Sequence, residues 1–206
     1  MSYVIYGDLR SGAFSVEAAL AETGAPYEFK RICLEHNEQK TPEFLAINPS
    51  GKLPALKTPE GDIVTESMAI LLTLADHFPN TRLLPEPGTP ARATAYRWLA
   101  FMASEIYPMV EIDDYPERFM PEAAEALRSR ARARIHERMQ VLERNIAGPW
   151  LLASGFSLAD IYLAMFSGWS ACNDNSQQSL PRLNALTEAL AQRPGAGAVW
   201  RRHFGS

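Results

Sequence analysis

Two short segments of this sequence carry residue types whose spacing could hold an extended, carboxylate-bearing molecule. The first is Leu53-Pro54. Proline alone makes a cis peptide bond low in energy, and a cis turn would present the N–H and C=O of Leu53 to a peptide laid beside them. The competing reading is a trans proline that merely opens an edge strand. The second segment, Thr65-Glu66-Ser67, begins 12 residues after Leu53. It stands where a strand-like run meets a helix. A helix start offers unpaired amides and a partial positive charge, and the Ser67 hydroxyl and N–H could grip a carboxylate there. Taken alone, the same three residues are an ordinary helix cap. Cys33 and Cys172 lie 139 positions apart, in neither a CxxC pair nor a metal-type spacing, so no bound metal is expected.

A chain of 206 residues with 47% apolar composition can bury a full core, as one large domain or two modest ones. The net charge of −4 comes from 20 basic and 24 acidic residues interspersed along the chain, which argues against nucleic acid or an anionic membrane as partner. The first residues lack a basic flank and a long apolar run, and no stretch approaches the roughly 18 apolar residues of a membrane span. With cysteine used so sparingly, these features predict a cytoplasmic protein that does not engage a membrane.

The elements that must position the two segments follow from periodicity. Val4–Tyr6 and Tyr27–Ile32 read as strands, joined by a helix that carries Phe14, Val16, Ala19 and Leu20 and stops at Gly24. A short helix at Pro42–Leu45 precedes two strands, Leu53–Thr58 and Ile63–Thr65, linked through Pro59-Glu60-Gly61-Asp62 as a hairpin. Ser67–Phe78 is a largely apolar helix. The order β-α-β-α-β-β-α is that of a thioredoxin-like domain. Residues 1–79 are therefore expected to form one domain, the proline-rich stretch 80–90 a stiff linker, and 91–206 an all-helical bundle. Within the bundle, Ala91–Met109, Pro121–Ile146, a helix opened by Ser157, Leu183–Leu190 and Ala198–His203 carry helical spacing. The alternating Arg128, Arg130, Arg132 and Arg134 cannot form one stripe, and with Glu125, Glu137, Asp113 and Asp114 nearby they read as a solvated helix surface.

Three segments in this order resemble the cytosolic glutathione S-transferase superfamily over nearly the whole chain. They are Glu43-Phe44-Leu45-Ala46-Ile47-Asn48-Pro49-Ser50-Gly51-Lys52-Leu53-Pro54-Ala55-Leu56, then Thr65-Glu66-Ser67, then the capping box Ser157-Leu158-Ala159-Asp160-Ile161. The last has a role in folding, not in chemistry. The resemblance implies a homodimeric glutathione transferase, of bacterial theta- or beta-like type, with a glutathione-binding N-terminal domain and a helical domain that lines a pocket for a small apolar electrophile. It implies glutathione as co-substrate, held by Gln39 and Lys40 at its glycyl carboxylate, along Lys52, Leu53 and Pro54, and by Ser67 and Glu66 at its γ-glutamyl end.

The same resemblance places the thiol-activating donor in the loop Leu9-Arg10-Ser11-Gly12-Ala13-Phe14-Ser15. Ser11 is the first choice, with a helix cap as its competing role. Ser15 is a donor one turn on, Arg10 an electrostatic stabiliser of the thiolate, and Tyr6 a more distant alternative. A free thiol near pKa 8.5 must be held as thiolate, which one donor at a helix N-terminus can achieve. Met102, Tyr107, Tyr115, Phe119 and Trp169 are the expected pocket residues, with core packing the alternative for each. Tyr107 and Tyr115 are set beside Pro108 and Pro116, where the helix should break. Two other classes compete with an enzyme of this kind. One is a binding or scaffold protein that kept the fold without the chemistry; the other is a disulfide oxidoreductase, against which the absence of CxxC argues.

Overall fold

A computed structural model describes residues 2–172 and 180–205. The chain divides into two compact units, Met1–Leu83 with Leu190–Ser206, and Leu84–Ala189. In the first, β1 (Tyr3–Gly7), α1 (Ala13–Thr23), β2 (Tyr27–Arg31), α2 (Pro42–Leu45), β3 (Ala55–Lys57), β4 (Ile63–Thr65) and α3 (Ser67–His77) follow one another in the thioredoxin-like order. The sheet runs β2-β1-β3-β4. β1 is parallel to β2 and antiparallel to β3, which is antiparallel to β4. A parallel pair needs a crossover, and α1 supplies it before Gly24 ends the helix in the left-handed conformation, φ 71°. Ile5, Phe14, Leu20, Leu56, Ile70 and Leu74 are completely buried.

β3 is shorter than the strand the sequence predicts, because Pro54 has no N–H to add to a ladder and pairing begins only at Ala55. At the end of β1, a Cβ on Gly7 would stand 2.2 Å from the Ala13 Cβ. Only glycine lets the strand pass this close to the start of α1, which fixes where the loop between them emerges.

The second unit is helical: α4 (Pro90–Phe101), a π-helical segment Met102–Ile106, α5 (Tyr107–Asp114), α6 (Ala124–Asn145), α7 (Leu158–Ser167) and α8 (Pro181–Ala191), whose last residues group with the first unit. The break expected at Pro108 does not occur. The Tyr107 N–H reaches back to the Met102 C=O. Pro108 follows directly, and the wider π turn before it takes up the break in the hydrogen-bond ladder that its missing N–H leaves. The helix ends instead at Tyr115, just before Pro116. The capping box forms as the sequence predicts: Ser157 Oγ accepts the Ala159 N–H at 3.2 Å, and Asp160 Oδ2 accepts the Ser157 N–H at 2.7 Å. Several of the α6 arginines are ion-paired, among them Arg132 with buried Asp113 at 2.7 Å and Arg134 with Glu137 at 3.1 Å.

The final helix, α9 (Ala196–Phe204), was grouped by sequence with the helical half but belongs to the first unit and packs on α1. Its buried face holds Ala196, Gly197, Val199 and His203. The reason lies in α1, where Glu17 is completely buried and needs partners. His203 and Arg202 of α9 supply them.

Candidate active site

Strand register gathers the candidate residues of the first unit. Ala55 faces Tyr6 on one side and Thr65 on the other. The loop after β1, the Leu53-Pro54 step and the start of α3 therefore emerge at one end of the sheet. Continuing the β3–β4 register by two residues sets Leu53 opposite Ser67. The Leu53–Pro54 bond is cis, and neither the N–H nor the C=O of Leu53 enters a hydrogen bond among the described residues. Such a pair of unpaired main-chain groups is what an added extended peptide would bond to.

Ser67 is buried as the first residue of α3, and the first intrahelical bond runs from the Ile70 N–H to the Glu66 C=O at 2.9 Å. The amides ahead of Ile70 are those a carboxylate could occupy. Glu66 is exposed, and its carboxylate has no partner among the described residues. Its backbone sits at φ 66° and ψ 112°, a region that costs a non-glycine residue about 1–3 kcal/mol. Strain of this kind concentrates where a side chain must be aimed at a ligand.

The connection before α2 contributes Gln39 and Lys40. Gln39 is buried, and its Oε1 has no hydrogen-bond partner. An unsatisfied buried acceptor costs about 1–3 kcal/mol, so Oε1 suits a ligand N–H, and Nε2 is the donor a ligand carboxylate could meet. Lys40 Nζ lies 3.4 Å from the Ser50 C=O, over Gly51, where a Cβ would stand only 2.7 Å from it. Asn48 shapes the approach to the cis bond: its Nδ2 donates to the Lys52 C=O at 2.7 Å and its Oδ1 accepts the Ser50 N–H at 3.1 Å. Lys52 itself is exposed.

In the loop after β1, the Ser11 hydroxyl donates to the Asp8 C=O at 2.7 Å and accepts the Ala13 N–H at 3.2 Å. Its one proton is therefore committed to the turn, as a helix cap would commit it. The N–H groups of Ser11 and Gly12 make no hydrogen bond among the described residues, so the backbone is the unpaired donor here. Ser15, expected as a second donor, is completely buried and donates to the Gly12 C=O at 2.9 Å, which turns it away from any ligand. Arg10 is exposed with φ 59°, its guanidinium 5.7 Å from the Phe204 ring centre. Tyr6 is half-buried and packs edge-on against Phe44.

Residues that sequence reasoning missed hold this loop in place. Asp8 accepts from Arg31 Nε at 2.8 Å, from the Leu34 N–H at 2.9 Å and from the Leu9 N–H at 2.9 Å. Burial pushes its carboxyl up, but these donors outweigh it and the net shift is downward. The Arg10 N–H donates to His203 Nδ1 at 3.2 Å, and His203 Nε2 in turn meets Glu17 Oε2 at 2.9 Å. Tyr27 donates to Glu17 Oε1 at 2.9 Å, and burial, followed by the Glu17 charge, pushes the phenol up to about 12. An acidic residue inside an apolar helix was the signal available in the sequence.

In the second unit, Tyr107 and Trp169 are brought together, ring centres 5.4 Å apart, with Phe166 edge-on to both. Met102 is completely buried, behind the π-helical bond to Tyr107. Tyr115 and Phe119 lie in the turn after α5, Tyr115 half-buried under the Arg118 guanidinium and Phe119 53% exposed.

Comparison with known proteins gives this geometry a context. Residues 1–76 match the family described as glutathione S-transferase, N-terminal domain. A zeta-class glutathione S-transferase of Euphorbia esula is 30% identical over 92% of this chain and 86% of its own. A Sulfitobacter glutathione transferase homologue, solved with bound glutathione, superposes with a TM-score of 0.90 at 25% identity, covering 98% of this chain and 99% of its own. A sphingomonad glutathione S-transferase, solved as a glutathione complex, gives a TM-score of 0.83 at 31% identity over 97% of this chain and 98% of its own.

Proposed function

Since this chain belongs to the glutathione S-transferase family and is a glutathione transferase, we propose that it activates the glutathione thiol for attack on a small apolar electrophile. The observation that carries this reading is the edge at Leu53. Its unpaired N–H and C=O, set in register opposite Ser67, suit a short peptide whose acidic end reaches the amides beginning α3. In this reading Ser67 and the α3 amides hold the γ-glutamyl carboxylate, Glu66 its ammonium, and Leu53 the cysteinyl backbone. Gln39, Lys40 and Lys52 hold the glycyl carboxylate.

The thiol would then lie by the loop before α1. The unpaired N–H groups of Ser11 and Gly12, at the positive end of that helix, favour a thiolate over a thiol. The protein does little covalent work; it places donors where negative charge resides. Arg10 adds a cation from the solvent side. Tyr107 and Trp169, with Met102 behind them and Tyr115 and Phe119 in the following turn, form the apolar surface for the electrophile. The family resemblance supports a cytoplasmic homodimer, and among the described residues no helix is long and apolar enough to cross a membrane. Residues 1–79 would be the glutathione domain, 80–90 the linker and 91–206 the helical domain, with α9 returning to support the first.

The test is the ultraviolet absorbance of the bound thiolate, titrated against pH. A thiol pKa well below that of free glutathione supports the assignment, and an unshifted thiol on the wild-type protein defeats it.

A further inference from the structure

The turn that follows β2 gathers three metal-ligating side chains for which the glutathione site has no use. Cys33 Sγ, a carboxylate oxygen of Glu35 and a ring nitrogen of His36 all lie within 4.8 Å of one another. Cysteine spacing could not reveal this set, because a single cysteine supplies it.

Backbone geometry explains the convergence. The segment closes on itself through Asn37 N–H to Leu34 C=O, 3.0 Å, and Glu38 N–H to Cys33 C=O, 3.1 Å. Two further carboxylates pin it: Glu38 Oε2 accepts the Cys33 N–H at 2.6 Å and Asp8 Oδ2 accepts the Leu34 N–H at 2.9 Å. Glu38 is thus committed to main chain, and Asp8 to main chain and the Arg31 guanidinium. Among the described residues, the side chains of Cys33, Glu35 and His36 make no hydrogen bond or ion pair. The nearby cation, Arg31, is held by Asp8 Oδ1 at 2.8 Å.

We propose that Cys33, Glu35 and His36 form a site for a zinc-like divalent ion, with solvent in the fourth position. Thiolate, imidazole and carboxylate together suit zinc, whereas magnesium and calcium take oxygen donors. Zinc–ligand bonds of about 2.0–2.3 Å in a tetrahedron set the donors roughly 3.3–3.8 Å apart. Closing from the present spread takes about one ångström. Glu35 and His36 are exposed and free to rotate toward the buried, anchored Cys33. Binding converts the Cys33 thiol to a thiolate, and its proton leaves to solvent. The inference does not depend on where glutathione binds.

Cobalt(II) titrated into the full chain, without glutathione, tests it. The expected result is one ion per chain with a near-ultraviolet thiolate-to-cobalt charge-transfer band and the strong visible bands of four-coordination, both removed by an equivalent of zinc. Cys33→Ser should abolish the charge-transfer band. Glu35→Gln and His36→Gln, at exposed positions that leave the fold intact, should each weaken binding about tenfold or more. Cys172→Ser should leave the titration unchanged. Absence of the band in the wild type, its survival in Cys33→Ser, or wild-type affinity in both exposed variants would overturn the proposal.

Discussion

His203 Nε2 stands 2.9 Å from Glu17 Oε2 across the contact between α9 and α1, with both side chains completely buried. Its other nitrogen accepts the Arg10 N–H at 3.2 Å, so Nδ1 carries no proton and Nε2 is the donor to Glu17. One imidazole therefore joins a buried carboxylate to the backbone of the loop that holds Ser11. His203→Ala leaves that amide without its acceptor and removes one donor from Glu17, while Tyr27 and Arg202 remain. A loss of about 1–3 kcal/mol is expected from the urea midpoint. A fall in kcat at saturating glutathione should accompany it, because the Ser11 and Gly12 amides lose a neighbouring tether.

The hydrogen bonds of Ser11 separate two modes of thiol activation. If its hydroxyl only holds the turn through Asp8 and Ala13, Ser11→Ala should lose about 1 kcal/mol of stability, the typical worth of a capping side chain. Its turnover should then fall by less than the roughly 10²-fold that losing a direct charge-stabilising donor costs. A larger fall in kcat, with the thermal midpoint unmoved, would return the hydroxyl to the sulfur and remove the backbone amides from that role.

Gln39 gives a prediction on binding alone. Its side chain makes no hydrogen bond among the described residues, so truncation to Ala removes the Nε2 donor proposed for the glycyl carboxylate without breaking an internal hydrogen bond. The KM for glutathione should rise about tenfold with kcat nearly unchanged, the pattern of an interaction shared by ground and transition states. Steady-state kinetics with glutathione varied is the measurement. An unchanged KM with the thiolate titration intact would detach Gln39 from the glycyl end.

What the sequence made legible was local. The cis step at Leu53–Pro54, the Ser67 helix start and the Ser157–Asp160 box are each written in a few adjacent residues, and each forms. What it hid was burial and distance. Glu17 lies among apolar residues of α1, but the partner that seals it, His203, is 186 positions away. Ser15 looked available because its exposure depends on packing that no local pattern encodes. Pro108 reads as a break, yet the π-helical turn before it absorbs the missing hydrogen bond. The metal-ligating turn escaped for a related reason: its three donors are neighbours in sequence, but their convergence depends on Asp8 and Glu38 holding the backbone.

Asp160 couples the capping box to pH. Burial pushes its carboxyl up to about 6, although the N–H groups of Leu151 and Ser157 pull the other way. In the unfolded chain the group returns to its ordinary value of 3.8. Between these two values the folded state holds more protons than the unfolded state, so this group's contribution to stability is complete below pH about 4 and declines as pH rises toward about 6. Asp160→Asn cannot ionise and should lose that slope. It should also be less stable throughout, by about 1–3 kcal/mol, because an amide NH₂ cannot accept one of the two backbone N–H bonds at 2.7 Å. Urea midpoints of the two proteins at intervals from pH 4 to 7 give the comparison. Parallel curves would mean that the carboxylate is already ionised at the lower end, with the capping bonds outweighing burial.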